Sequence, residues 1–390
     1  MILAYGFENF FSFKEEVVIS LRLDANCPES ISNGRDFMRI LGVSGANGSG
    51  KTQVLKALSF LSTFCVSSFN NDPDRSIPFS SFFDNERPSR FFVEFRVKNV
   101  EYRYGVVCTD KAVISEVIYR TLKKRTKILE RQDGLIVYRI DSLKSLDSIK
   151  IRRNASIIST AHQYELSGLE PIYNFFHYFE TNVGFAGFSY KHDSINQISE
   201  FLYKAKDKSI LAFIVKFIKE CDTGISDIRI QQGKDQNGQD SYFPIFLHKS
   251  GGKLEVVTAF TESSGTKALF QTLASYYMVL KVGGLLVVDE FGMNLHPLIL
   301  PKFIELFENE EINKNDAQLI LATHDTYILD MLGRYRVYLV AKEENESFAY
   351  RLDEVPGDLL RNDRPIRPVY MSGRIGGVPR AVESNPELDS

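Results

Sequence analysis

The sequence predicts an α/β protein with a mixed, largely parallel sheet, an antiparallel β subdomain and a short helical insertion. Three observations carry this prediction. After Thr261 the chain runs helix, strand, helix, strand, the rhythm of parallel strands joined by crossovers. The runs Leu285–Val288 and Gln318–Ala322 are continuous and apolar, as in strands buried on both faces. Residues 90–140 instead contain short stretches of alternating apolar and polar residues broken by polar turns, the pattern of half-buried antiparallel strands.

In chain order, residues 1–23 read as a hairpin or meander, with Val17, Ile19 and Leu21 alternating and Asn9 and Ser12 as turn candidates. RILGVSG supplies a strand. The helix after it is marked by Val54, Leu55, Leu58, Leu61 and Phe64 at helical spacing. Residues 69–90 have loop chemistry, rich in Asn, Asp, Pro, Ser and Arg. Four antiparallel strands are expected at RFFVEFRV, VEYRYGVVC, AVISEVIYRTL and GLIVYRI. From Asp141 to Cys221 the pattern turns helical, with ISTAHQYEL, LEPIYNFFHYFETNV and SILAFIVKFIKECD as the segments. IRIQQGKDQNGQDSYFPIFLHK then reads as a hairpin around a polar loop. The expected organisation is an N-terminal lobe (1–140), a helical insertion (141–225), a C-terminal lobe (226–380) and a flexible acidic tail (381–390).

Composition narrows the class. At 390 residues the chain exceeds one ordinary domain, which suggests one large α/β domain with an insertion, or two domains. A net charge of −3 excludes a globally basic nucleic-acid binder but not a local basic patch. Cys27, Cys65, Cys108 and Cys221 have no C-x-x-C spacing, as expected of reduced thiols in a cytoplasmic protein. The N-terminus lacks a basic leader and already has strand character, and no apolar run approaches membrane length.

Gly45-Ala46-Asn47-Gly48-Ser49-Gly50-Lys51-Thr52 fits G-x-x-x-x-G-K-[ST] between a strand and a helix. The glycines let backbone N–H groups wrap a phosphate, and Lys51 supplies a point charge to the outer phosphates. Thr52 can ligate Mg²⁺, and the helix contributes its positive dipole end. Asp289 and Glu290 follow Leu285–Val288, at the carboxyl edge where such sheets place ligands. Asp289 can hold Mg²⁺ through water, and Glu290 can polarise an attacking water. Alone, an acidic pair there is more often a helix cap; its company with the glycine-rich loop favours chemistry. His324 follows a strand parallel to the one bearing Asp289. A lone histidine is usually structural, yet this one could reach a terminal phosphate as a hydrogen-bonding sensor. Ser263 or Ser264 caps a helix with Leu269, Leu273, Tyr276, Tyr277 and Leu280 on one face, and its small-residue start is a ready anion site.

The order of these motifs resembles ABC-type P-loop ATPase heads of the SMC, RecF and OLD group. Within that group the sequence is most similar to the stand-alone ATPases of bacterial abortive-infection and related anti-phage operons. The likeness is carried by FENFFSFKEEV, CDTGISDIRI, ESSGTKALF, LLVVDEFGMNLHPLILPKFIELF, QLILATHDTYILD and VYMSGRIGGVP, nearly the whole chain. The resemblance implies ATP and Mg²⁺ as cofactors, with Lys51 and Thr52 as phosphate and metal residues and Asp289 as the metal-organising carboxylate. It implies Glu290 as general base and His324 as switch histidine. Ser263, Ser264 and Gly265 stand where such heads keep the signature helix that completes a partner's ATP site, implying a homodimer with ATP sandwiched between protomers.

Three departures from the pattern matter. The signature reads Ser-Ser-Gly-Thr, unlike transporter ATPases; Phe291-Gly292 replaces the Leu-Asp of SMC-like heads; and SIPFSSFFDNERP, where the Q-loop belongs, has no glutamine. The insertion is too short and too poor in heptads for a long coiled-coil arm. The resemblance implies ATP-driven control of a separately encoded toxic effector, a TOPRIM-type nuclease, in anti-phage defence; the alternative is a RecF-like DNA-repair clamp. Two weaker signals remain. Arg120, Lys123, Lys124, Arg125, Lys127 and Arg131 form a solvated basic face, or else a nucleic-acid or partner surface. Phe175, Phe176, Tyr178 and Phe179 read as insertion core before a stacking platform.

Overall fold

The computed structural model describes residues 1–24, 26–188, 194–221, 224–293, 295–356, 359–362 and 364–378. The acidic tail expected at 381–390 lies outside them. The chain opens with β1 (Ile2–Glu8) and β2 (Val17–Ser20), the expected hairpin, then a single helical turn, α1 (Glu29–Ser32). The strand β3 (Ile40–Gly45) leads through the glycine-rich turn into α2 (Lys51–Ser67). Next come β4 (Ser89–Val97), β5 (Val100–Cys108), β6 (Val113–Thr121), β7 (Arg125–Gln132) and β8 (Leu135–Arg139). Two helices, α3 (Ile157–Gln163) and α4 (Glu170–His177), precede β9 (Phe179–Thr181) and the small pair β10 (Val183–Gly184) and β11 (Gly187–Phe188). Then follow α5 (Ile195–Lys204), α6 (Ser209–Cys221), β12 (Ile225–Lys234), β13 (Asp240–Ser250) and β14 (Lys253–Thr258). The last part alternates: α7 (Ser264–Val282), β15 (Leu285–Val288), α8 (Leu300–Glu308), β16 (Gln318–Ala322), α9 (Thr326–Leu332), β17 (Val337–Glu343), β18 (Glu346–Arg351) and α10 (Arg367–Met371).

These strands form a mixed six-stranded sheet of order β18-β17-β3-β16-β15-β9 and an antiparallel seven-stranded sheet of order β2-β1-β4-β5-β6-β7-β8. Only β18 runs antiparallel within the first. Because side chains alternate across a strand, the six-stranded sheet feeds two cores. Leu41, Val43, Val287, Ile320 and Val340 face α2 and the seven-stranded sheet, while Ile40, Leu286, Leu319, Leu321 and Leu339 face α7, α8 and α9. Continuous apolar runs were required for this, and β3 and β16 are buried at every position.

Three sequence expectations need correction. The antiparallel sheet has five strands after the loop region, not four, because the basic stretch RTKILERQ is itself β7. Its charged residues hid the strand pattern. Arg131, expected on a solvated face, is fully buried: its guanidinium pairs with the equally buried Glu116 at 2.7 Å and donates to the carbonyls of Ala155 and Arg152. Glu116 also accepts from the Tyr104 hydroxyl at 2.7 Å and from the N–H of Ile157 at the start of α3. Finally, the stretch 141–221 is helical only in part, since Phe179–Thr181 pair in parallel with Leu285–Val287. Its helices divide between the two cores: α3 and α4 pack into the first, α5 and α6 into the second. Phe176 is buried and Phe175 stacks on Phe95 at 4.0 Å, so these two rings are core, whereas Tyr178, expected with them, is exposed.

Removing one member of a buried ion pair leaves the other charge without compensation. Arg131→Met should therefore destabilise the protein by about 3–5 kcal/mol in urea unfolding. Adding Glu116→Gln should return part of that loss.

Candidate phosphate-binding site

The pairing register sets Val43 opposite Ala322 and Leu321 opposite Val288, so β3, β16 and β15 end at one edge of the sheet. The glycine-rich turn, the Asp289-Glu290 pair and His324 all emerge there. Gly45 lies against β17, where a Cβ would come within 2.2 Å of the Val340 carbonyl oxygen. Only glycine lets the turn leave the strand so close to its neighbour. The turn is held from behind: the Ser347 hydroxyl donates to the Ser49 carbonyl at 2.6 Å and lies 2.6 Å from the Ser12 hydroxyl. The Ser12 N–H donates to Gln53 at 3.2 Å.

Lys51 is only 6% exposed, and its ammonium donates to the carbonyls of Gly45 at 3.0 Å and Ala46 at 2.9 Å. Burial lowers its pKa, opposed by the nearby charges of Glu290 and Asp289. The Thr52 hydroxyl donates to Asp289 Oδ2 at 2.7 Å, joining the two motifs directly. The other carboxylate oxygen of Asp289 accepts the Glu290 N–H at 3.0 Å. Asn182, in the connection between β9 and β10, clamps the Asp289 backbone from both sides: its amide donates to the Asp289 carbonyl at 3.0 Å and accepts the Asp289 N–H at 2.8 Å.

Glu290 has a left-handed backbone, φ +52°, a conformation costing a non-glycine residue on the order of 1 kcal/mol. Bonds on either side hold it. The Phe291 N–H donates to the Ala322 carbonyl at 2.8 Å, and the Thr323 hydroxyl donates to the Phe291 carbonyl at 3.1 Å. This turn brings Glu290 Oε1 to 3.7 Å from His324 Nε2, both side chains open to solvent. Burial, and then the Lys51 charge, lower the His324 pKa and favour neutral imidazole, against the pull of Glu290 and Asp289.

Ser263 provides the cap of α7, its hydroxyl accepting the Thr266 N–H at 3.0 Å. Glu262 accepts the Ser263 N–H at 2.7 Å and is met by His248 at 2.8 Å. Gly265 lies in the first turn of α7, and Ser264 lines a cleft of about 530 Å³ together with Asn182, Gln271, Asp289 and Glu290. The arrangement suits a phosphate ligand with a hard cation. Thr52 and Asp289 offer two oxygens to a metal that takes its remaining ligands from water and phosphate, and Ser49 Oγ at the turn is buried with no hydrogen-bond partner among the described residues.

Residues 45–52, Asp289, Glu290 and His324 thus meet at one place. The stretch SIPFSSFFDNERP serves elsewhere: Phe82 and Asn85 bond to Asn9, and Ser80 accepts from Phe11. Sequence reasoning missed Asn182 and Thr323. Thr323 lies within the quoted stretch QLILATHDTYILD, next to His324, and could have been found, whereas Asn182 sits in a stretch with helical periodicity and bonds to main-chain atoms of Asp289. Asn182→Ala should slow any turnover at this site at least about tenfold while leaving nucleotide binding within about threefold, because it frees the backbone of Asp289 without touching Lys51. Steady-state kinetics beside fluorescent-nucleotide titration checks this.

No curated protein matches the sequence. Among solved structures, the SmcHead bound to the C-winged helix domain of ScpA is 14% identical with a TM-score of 0.43, over 90% of this chain and 96% of that one. The Smc head domain with an extended coiled coil bound to the C-terminal domain of ScpA, from Pyrococcus furiosus, is 13% identical with a TM-score of 0.40, over 90% and 97%. The Smc head domain with a coiled coil and joint from Pyrococcus yayanosii is 11% identical with a TM-score of 0.45, over 95% and 99%. Residues 40–330, most of the chain and including residues 45–52, Asn182, Asp289, Glu290 and His324, match the family described as "AAA domain, putative AbiEii toxin, Type IV TA system", and the chain belongs to that family.

Proposed function

We propose that this protein binds and hydrolyses Mg²⁺-ATP, closes as a homodimer around the nucleotide, and through that closure controls a separately encoded toxic effector in anti-phage defence. The observation that carries the catalytic part is the 2.7 Å bond from Thr52 to Asp289, with Glu290 and His324 beside it. The family's toxin–antitoxin description supports the regulatory part. Bound Mg²⁺ would supply charge neutralisation at the outer phosphates, held by Thr52 and Asp289.

In this reading the backbone N–H groups of Gly45–Thr52 cradle the phosphates, and Lys51 exchanges its two carbonyl partners for phosphate oxygens. Glu290 accepts a proton from the attacking water. Neutral His324 donates a hydrogen bond toward the terminal phosphate. Ser263, Ser264 and Gly265 present the start of α7 to the nucleotide held by the second copy. No helix among the described residues is long and apolar enough to cross a membrane.

Lys51→Ala should abolish nucleotide binding. Glu290→Gln should retain it, lower turnover about 100-fold or more, and accumulate a nucleotide-dependent dimer in light scattering. Single chains at saturating ATP would count against the sandwich, and unchanged turnover would remove Glu290 from the chemistry. Co-expression with the neighbouring open reading frame tests the regulatory part, because loss of control of that product's toxicity in Lys51→Ala is the expected result.

The pH dependence has a definite sign. The lowered pKa keeps His324 neutral on the alkaline side, so turnover should hold through neutrality and fall only acid of the ordinary imidazole value. A pH–rate profile of His324→Gln, at its lower rate, should lack that acidic limb.

A further inference from the structure

We propose that the free edge of β8 receives a short, extended, acidic segment of a partner protein, which pairs as an eighth strand of the antiparallel sheet. The two ends of this sheet differ. At β2 the Ser20 N–H donates to the Tyr338 hydroxyl, tying that edge to the six-stranded sheet. At β8, among the described residues, backbone hydrogen bonds reach only β7. The strand leaves Leu135 72%, Val137 53% and Tyr138 45% exposed. Natural proteins blunt such edges with charges, above all lysine, with proline, or with bulges. β8, Leu-Ile-Val-Tyr-Arg, has neither lysine nor proline, and its one charge, Arg139, is neutralised by Asp147. The register shift in its pairing with β7 limits the guest to a few residues.

Charge selects the guest. Arg139 is paired with Asp147 and Lys127 with Glu130. Arg120, Lys123, Lys124 and Arg125 make no ion pair among the described residues, although the whole chain carries net −3. β8 ends opposite Leu129, so Arg125–Lys127 continue the same edge beyond it and lead to the exposed Lys123 and Lys124. A guest strand on β8 would run its end into these cations. The exposed Leu122, Leu135 and Val137 suit aliphatic side chains and offer nothing to phosphates, which favours a peptide over nucleic acid. The other apolar edge, β14, carries Lys253 and Glu255 together and so selects no charge.

The test is selection of a random octapeptide display library on the full-length protein, followed by fluorescence anisotropy of the enriched peptides. The expected peptides alternate aliphatic residues with Asp or Glu. Their affinity should fall about tenfold or more in Val137→Lys and in the triple variant Lys123→Glu, Lys124→Glu, Arg125→Glu, with melting temperature unchanged. Replacing alternate peptide N–H groups by N-methyl should abolish binding, since main-chain pairing supplies the affinity. Absence of enrichment, peptides without acidic residues, or binding indifferent to both variants would overturn the proposal. So would a 20-base-pair duplex that binds through the same cations, with salt dependence, where acidic peptides do not. None of these readouts depends on nucleotide turnover.

Discussion

Three parallel strands ending together make the rest possible. With β3, β16 and β15 in register, the loops leaving them are neighbours without further arrangement, and the hydroxyl of Thr52 meets the carboxylate of Asp289. Parallel strands cannot be joined by tight turns, so each of these loops is free to lead into a helix or a crossover. Motifs 237 residues apart in sequence become hydrogen-bonded because the crossovers return every strand in the same direction.

Supports around that edge follow from the same constraint. A charged pair at the end of a strand needs its backbone held, and Asn182 does this from the adjoining edge of the sheet, while Thr323 holds the turn after Glu290 from the other side. The left-handed backbone at Glu290 is tolerated because neighbouring bonds on both sides determine it. Behind the glycine-rich turn, Ser347 and Ser12 come from opposite ends of the chain. The fold therefore couples the N-terminal hairpin and the late strand β18 to the glycine-rich turn, and the connection before β10 to Asp289.

What was legible in the sequence follows from where side chains point. β3, β15 and β16 were readable because burial on both faces demands continuous apolar runs, and α2 was readable because Val54, Leu55, Leu58, Leu61 and Phe64 keep helical spacing, although the finished fold buries the helix on nearly every side. β7 was not. Arg131 turns inward to meet Glu116, so the strand's buried face contains a charge, and no pattern of hydrophobicity registers a buried ion pair. β9 was hidden because three residues are too few to show a period of two, and the aromatic residues of α4 impose their own spacing. α5 escaped because only Ile198, Ser199 and Leu202 of its ten residues are buried. Asn182 left no trace, since its partners are main-chain atoms whose position only the completed fold provides.

The electrostatics of the edge add a last constraint. Lys51 is buried and, among the described residues, bonded to two carbonyl oxygens, while Glu290 and Asp289 counter the burial that would discharge it. A phosphate is a stronger acceptor than a carbonyl, so transfer of the ammonium to a phosphate oxygen strengthens its hydrogen bonds where water is excluded. The same ammonium helps keep His324 neutral, and Lys56, one turn further along α2, is likewise lowered by burial and opposed by Asp289. Both ammonium groups thus sit partly buried near carboxylates that oppose the loss of their charge, Asp289 and Glu290 for Lys51 and Asp289 for Lys56. In the proposed reading an incoming polyphosphate adds negative charge beside Asp289 and Glu290, and a cation that arrived with it would offset that charge.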